Sequence, residues 1–336
     1  MDKKENLPRT LSRDSALKIF GVGAFIFTLI CTVLATLSRT LFFDEIGYYQ
    51  AEAIVPKIFF VLGLCFVAFI TAFCFVPSLR IEPDTQKNTL PVRAASLLLA
   101  LGFISAASEL IYEIFIAIEE SVFILDSQTF IYLILPLAVR ILAAIHFVRA
   151  GIVKDASGTF SVIGNICFII YILEIISGTY FNVLIPMNSP TTTLLYLALL
   201  SAMLLFINES RVGFDADKKG FFAFSAALTT LFCAAFCVSE AFVAYDIAND
   251  PLASPAATTI NSYFPTILLI FIFAAARLYS ICFMREEHCE APEDFDAESE
   301  KSEEVKENEE SVQEEQEISR DNSAESTNNA DPEVTE

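Results

Sequence analysis

The stretch at residues 94–118, AASLLLALGFISAASELIYEIFIAI, decides how this chain folds. It is almost wholly apolar, yet it carries Glu109 and Glu113 in its second half. A helix needs about 20 mostly apolar residues to cross roughly 30 Å of hydrocarbon, so this segment reads as a membrane span with two acids inside it. Working outward from it, the same criterion selects eight segments in all, at 20–38, 58–78, 94–118, 129–148, 160–181, 191–208, 221–245 and 263–284. The predicted fold class is therefore all-α, a polytopic integral membrane bundle of eight transmembrane helices with its boundary in the lipid bilayer.

Composition agrees with this reading. Of the 336 residues 54% are hydrophobic, and the mean hydropathy is +0.55, too apolar for two or three soluble domains. The net charge of -21 is not spread evenly. Residues 286–336 hold 21 Asp and Glu against only Lys301, Lys306 and Arg320, which leaves the preceding body nearly neutral. The sequence thus divides into a basic N-terminal segment (1–19), the bundle (20–284) and an acidic tail (285–336). The charge balance excludes a nucleic-acid binder. A secreted disulfide scaffold is excluded as well, because seven of the eight cysteines lie inside apolar runs.

Orientation follows from the basic residues of the connecting segments, since positive loops stay in the cytoplasm. One set of segments carries Lys3, Lys4, Arg9, Arg13 and Lys18, then Arg80, Lys87 and Arg93, then Arg149 and Lys154, then Arg211, Lys218 and Lys219, and finally Arg285. The alternate set has only Arg39 and Lys57, both assigned to the first loop. Both termini are accordingly expected in the cytoplasm and the bundle in the cell membrane. The first apolar run is long for a signal peptide and reads as the first anchor. Trp is absent, and Tyr48, Tyr49, Tyr180, Tyr245 and Tyr263 fall at predicted outer ends, where they would supply the interfacial aromatic belt.

The loops are too short to fold a catalytic domain. There is no G-x-x-x-x-G-K-[ST] run, and no nucleophile, base and orienter arrangement can be read, so no catalytic residue and no cofactor is assigned. Chemistry or recognition should sit among the helices, where charges are costly. Asp, Lys and Arg cost roughly 2.5–3.5 kcal/mol each near the bilayer centre, so intramembrane charges must be paired, protonated or hydrated. The candidates are Glu109 and Glu113 in the third helix, Arg140 in the fourth, Glu174 in the fifth, Glu240 in the seventh and Arg277 in the eighth. Counting from the helix ends places Glu109 about 13 Å and Arg140 about 16 Å below the outer face, which suggests that these two pair. Arg277 lies nearer the cytoplasmic face, where its side chain can snorkel.

On the third helix Ser105, Ser108, Glu109, Tyr112 and Glu113 follow the i, i+3, i+4, i+7, i+8 spacing of one face, expected to point into the bundle. Pro136 sits in the middle of the fourth helix, one turn before Arg140. It should break the backbone ladder there. A broken helix beside an intramembrane charge is a feature of transporter binding sites. The candidate binding set is therefore Glu109, Glu113, Arg140, Glu174, Glu240, Ser105, Ser108 and Tyr112. The carboxylates are expected to line a water-accessible cavity open to the outside, formed by the third, fourth, fifth and seventh helices.

Weaker signals complete the reading. Ser108-Glu109 recurs as Ser239-Glu240, and Val139-Arg140 as Ala276-Arg277, at lags of 131 and 137 residues. The recurrence is either a parallel four-plus-four repeat or the ordinary likeness of apolar helices. His146 reads as an interfacial hydrogen-bonder and not as a metal ligand, and Glu286 to Glu290 holds metal-capable side chains without defined coordination geometry. No metal site is assigned. Cys233 and Cys237, one turn apart, read as packing residues. The tail, rich in Glu, Ser and Asn, cannot bury enough apolar surface to fold alone and is expected to be disordered. Two functions compete. One is a transporter or permease-like protein whose outward-facing acidic site takes a cation, an amine or protons, with a small cationic solute as partner. The other is a membrane sensor or assembly scaffold whose tail contacts a basic cytoplasmic protein.

Overall fold

The computed structural model of the chain describes residues 13–43, 48–50, 52–75, 88–119, 129–153, 158–182, 189–212, 219–249 and 263–284. Among these residues the structure is helical, apart from one isolated antiparallel bridge between Phe43 and Tyr49. The helices are α1 (Arg13–Leu41), α2 (Ile54–Phe75), α3 (Leu90–Glu119), α4 (Leu135–Ile152), α5 (Thr159–Phe181), α6 (Pro190–Val212), α7 (Lys219–Asn249) and α8 (Phe264–Phe283). A π-helical turn, Phe130–Ile134, leads into α4. Each of the eight segments expected from the sequence coincides with one of these helices, and all eight are long and apolar enough to cross a membrane. The chain is thus a multi-pass integral membrane protein. The basic N-terminal residues 1–12, most loop residues, the Glu286–Glu290 stretch and the acidic tail lie outside the described residues.

Apolar runs of this length become helices in lipid because every backbone N–H and C=O must find its partner within the segment. Successive helices alternate in direction. Arg93 in the first turn of α3 donates to the carbonyls of Gly151 (2.9 Å) and Ile152 (2.7 Å) at the end of α4. The start of α7 meets the end of α2, where Gly220 lies against the carbonyl of Cys74. The odd-numbered helices therefore finish at one end of the bundle, called distal below, and the even-numbered helices at the other, called proximal. The five tyrosines of the expected aromatic belt all gather at the distal end.

Helix α7 is the axis of the bundle, packed against α1, α2, α6 and α8. Its buried face alternates Ala223, Ala226, Ala227, Ala234 and Ala235 with Phe222, Leu231 and Phe236. Small residues let neighbouring backbones approach, and between two apolar media that close packing is the main attraction. Helix α2 is peripheral. It turns Ile54, Phe60, Val61 and Leu64 outward and buries Phe66, Ile70 and Cys74, as a lipid-facing helix should. On the opposite side of the axis α3, α4, α5, α6 and α8 share an aromatic core of Phe103, Phe147, Phe168, Phe206 and Phe273, with the Phe168 and Phe206 rings 3.9 Å apart. Gly164 explains how α4 and α5 come so close, since a Cβ there would fall 2.1 Å from the His146 ring.

Candidate functional site

Among the described residues, three helix arginines are each met by a glutamate of another helix. Their geometries differ. At the proximal end Arg277 of α8 and Glu209 of α6 form a fork, with Nε to Oε1 and Nη2 to Oε2 both at 2.6 Å and both side chains 8% exposed. The guanidinium carbon lies 5.5 Å from the Phe222 ring centroid and 5.9 Å from that of Phe273. Asn208, beside Glu209, donates to Ser225 of α7 at 3.1 Å. This two-bond fork, enclosed by aromatic faces, has the form of a structural tie. Arg277 does not snorkel as expected, because a carboxylate waits at its own depth.

Near the middle of its span, on the distal side, Arg140 of α4 donates through Nη2 to Glu174 of α5 at 2.7 Å and through Nη1 to the carbonyl of Ala106 in α3 at 2.9 Å. Its Nε is buried and has no acceptor. The guanidinium stacks over Tyr171, 5.4 Å from the ring centroid, and the Tyr171 hydroxyl meets that of Thr266 in α8 at 3.2 Å. Glu174 is 37% exposed, so this pair opens outward on one side. Beneath it, between α3, α5 and α8, lies a cavity of about 20 Å³ lined by Gly102, Phe103, Phe168, Tyr171, Thr266 and Leu269. That is room for one water molecule. Pro136 stands one turn before Arg140, in the first turn of α4, where its missing N–H is tolerated, and the π-helical turn at Phe130–Ile134 leads into it.

The third pair, Arg39 of α1 with Glu240 of α7, is buried and also lies toward the distal end, where both helices near their finish. Arg39 Nη1 also reaches the Ser239 hydroxyl at 3.4 Å. Neither carboxylate oxygen of Glu240 accepts a hydrogen bond of good geometry.

The expected site is thus only partly assembled. Arg140 and Glu174 are together, but the partner of Arg140 is Glu174 and not Glu109. Glu240 is not part of that cluster; it faces α1, a helix the sequence reading left out. Ser105, Ser108, Glu109, Tyr112 and Glu113 share one face of α3 as their spacing requires, but that face is exposed. The small residues Ala95, Ser96, Ala100 and Ala107 together with Leu99 and Phe103 occupy the opposite face, and they turn it inward against α4 and α8. Neither Glu109 nor Glu113 forms an ion pair among the described residues. The four carboxylates therefore do not converge on one cavity.

Two of the paired residues were not among the sequence candidates. Arg39 and Glu209 each stand one residue beyond a predicted helix end, at 38 and 208, whereas α1 and α6 continue to Leu41 and Val212. The repeat gains no support either. Glu109 is exposed where Glu240 is fully buried, and Arg140 pairs with α5 where Arg277 pairs with α6. His146 is buried beside Asn165, and no cluster of metal-binding side chains occurs among the described residues.

Fold and site together define a multi-pass helical membrane protein with three Arg–Glu pairs between its helices among the described residues. The chain matches no protein-family model, no curated protein and no solved structure.

Proposed function

We propose that the protein is permease-like and handles a cation, an amine or protons on the distal side of its bundle, with Arg140 and Glu174 at the centre of the site. The observation that carries this reading is the contrast between two pairs in one protein. Arg277 and Glu209 make two short bonds in an enclosed setting, which is sufficient for a tie. Arg140 and Glu174 make one bond, leave Nε without an acceptor, and open to the surroundings beside a helix irregularity and above a small cavity. This singly bonded pair, with one donor left over, is a weaker tie than the fork. Its geometry suits exchange, in which a cation or ammonium group competes with Arg140 for Glu174 and Glu109 adds negative potential from the neighbouring turn of α3.

The experiment is a solute jump on purified protein reconstituted in liposomes on a solid-supported membrane. A cation or amine should displace charge in the wild type and not in Glu174→Gln. Silence from the wild type across monovalent cations and amines removes the reading.

One observation favours a second reading. The exposed stripe from Ser105 to Glu113 places hydroxyls and carboxylates on an outer helix face, where a protein partner would satisfy them. In a membrane assembly scaffold that face would meet another transmembrane protein, and the acidic tail would meet a basic cytoplasmic one. Crosslinking through a cysteine at position 112 in membranes separates the two readings.

A further inference from the structure

The Arg39–Glu240 pair belongs to a longer arrangement along α1. Thr28, Thr32 and Arg39 stand at i, i+4 and i+11, within about 20° of one azimuth at 100° per residue, and they span about 17 Å of the helix. Thr28 and Thr32 are buried, Ser38 and Glu240 fully so. The side-chain oxygens of Thr28, Thr32 and Ser38 lack hydrogen-bond partners, and Glu240 is met by Arg39 alone. Helix composition does not explain this. In the same helix Thr36 and Thr40 donate to the carbonyls of Thr32 and Thr36, at 2.9 and 3.0 Å, the usual way a membrane helix hides a hydroxyl. Thr28 and Thr32 make no such bond, although both have a carbonyl four residues back.

Buried polar atoms are ordinarily satisfied by protein or by ordered water, so the unpartnered hydroxyls of Thr28 and Thr32, on the face of α1 that carries Arg39, mark a place that holds water. A metal cation is disfavoured, because the Arg39 guanidinium already meets the carboxylate and would repel one. A proton is not disfavoured in this way, since it would neutralise Glu240 and leave Arg39 free to turn toward the Ser38 and Ser239 hydroxyls. We propose that a file of water molecules runs along the α1–α7 seam from Glu240 to Thr28, and that Glu240 takes up and releases a proton on it. The proton passes from a hydrated proton in the file to a carboxylate oxygen, and it leaves by the same path when Arg39 pairs again.

Arg39 of α1 is the charge acting on Glu240, and Cys237 is the titratable group one turn back on α7. Toward the distal ends of α2, α6 and α8 stand Lys57, Tyr196 and Tyr263. The inference goes beyond the permease reading, since Glu240 lies outside the Arg140–Glu174 cluster. Its test reads Glu240 alone, so a failed solute response at Glu174 and a failure here are distinguishable.

The test is infrared difference spectroscopy of the full chain in lipid, titrated between about pH 5 and about pH 9, the range that buried carboxyls reach. A protonated-carboxyl band should appear as the pH falls and shift in heavy water. It should be lost in Glu240→Gln and kept in Glu174→Gln. The double variant Thr28→Val with Thr32→Val retains Glu240, and it should slow deuterium exchange at that band at least tenfold. If Glu240→Gln does not fold, the threonine variant decides. The proposal is overturned by the absence of any such band, by a band that survives Glu240→Gln, or by exchange unchanged in the threonine variant.

Discussion

Removing Arg277 is the most informative perturbation of stability. The guanidinium makes two 2.6 Å bonds to Glu209, and both side chains are 8% exposed, so Arg277→Ala leaves a carboxylate enclosed by Phe222, Phe273 and apolar neighbours. Breaking a buried pair by removing one partner costs about 3–5 kcal/mol, most of it the penalty on the stranded charge. Replacing both partners with leucine removes that charge, and the double variant should recover most of the loss. Arg140 provides the internal comparison. Its partner is 37% exposed and holds it by one bond where Glu209 makes two, so Arg140→Ala should cost less than Arg277→Ala. The chain has no Trp, but six of the seven free cysteines among the described residues are buried, so thermal or denaturant unfolding can be followed with a dye that fluoresces on reacting with a newly exposed thiol. The reasoning is refuted if Arg277→Ala is no more destabilising than Arg140→Ala, or if the leucine double variant loses as much as the two single substitutions combined.

Further outcomes follow from the same structure. Gly164→Val should destabilise the α4–α5 contact by about 1–3 kcal/mol, since even a Cβ would fall 2.1 Å from the His146 ring; an unchanged unfolding midpoint would contradict this packing. Reporter fusions after Asp217 and after Leu252 should report opposite sides of the membrane, and equal signals would overturn the alternation of helices. Deletion of residues 286–336 should leave the bundle folded and monodisperse in detergent, because the tail has almost no apolar residues with which to pack; aggregation of the truncated protein would argue otherwise.

The fold was legible in the sequence because hydrocarbon imposes one requirement on every span. All eight helices lie where apolar length places them. The pairing was less legible. Apolar windows end where the first charge appears, whereas a helix can run past the hydrocarbon, and so windows ending at 38 and 208 leave out Arg39 and Glu209. Continuing each predicted helix by one turn would have revealed both, together with the partners of Glu240 and Arg277. The orientation of α3 failed for another reason. A polar stripe seeks protein or water, but Ala95, Ala100 and Ala107 allow closer packing on the opposite face, and helix spacing alone does not say which of the two turns inward.

The claim on which the account rests is that Arg140 and Glu174 form a site that responds to a solute, while Arg277 and Glu209 form a tie. A thermal-shift screen of the purified protein against monovalent cations, amines, amino acids, metal ions and lipids tests it directly, since a ligand that binds only the folded state raises its apparent stability. At least one cation or amine should raise the unfolding midpoint of the wild type and leave that of Glu174→Gln unchanged. No shift with any of these solutes, or a shift that persists in Glu174→Gln, would contradict the account.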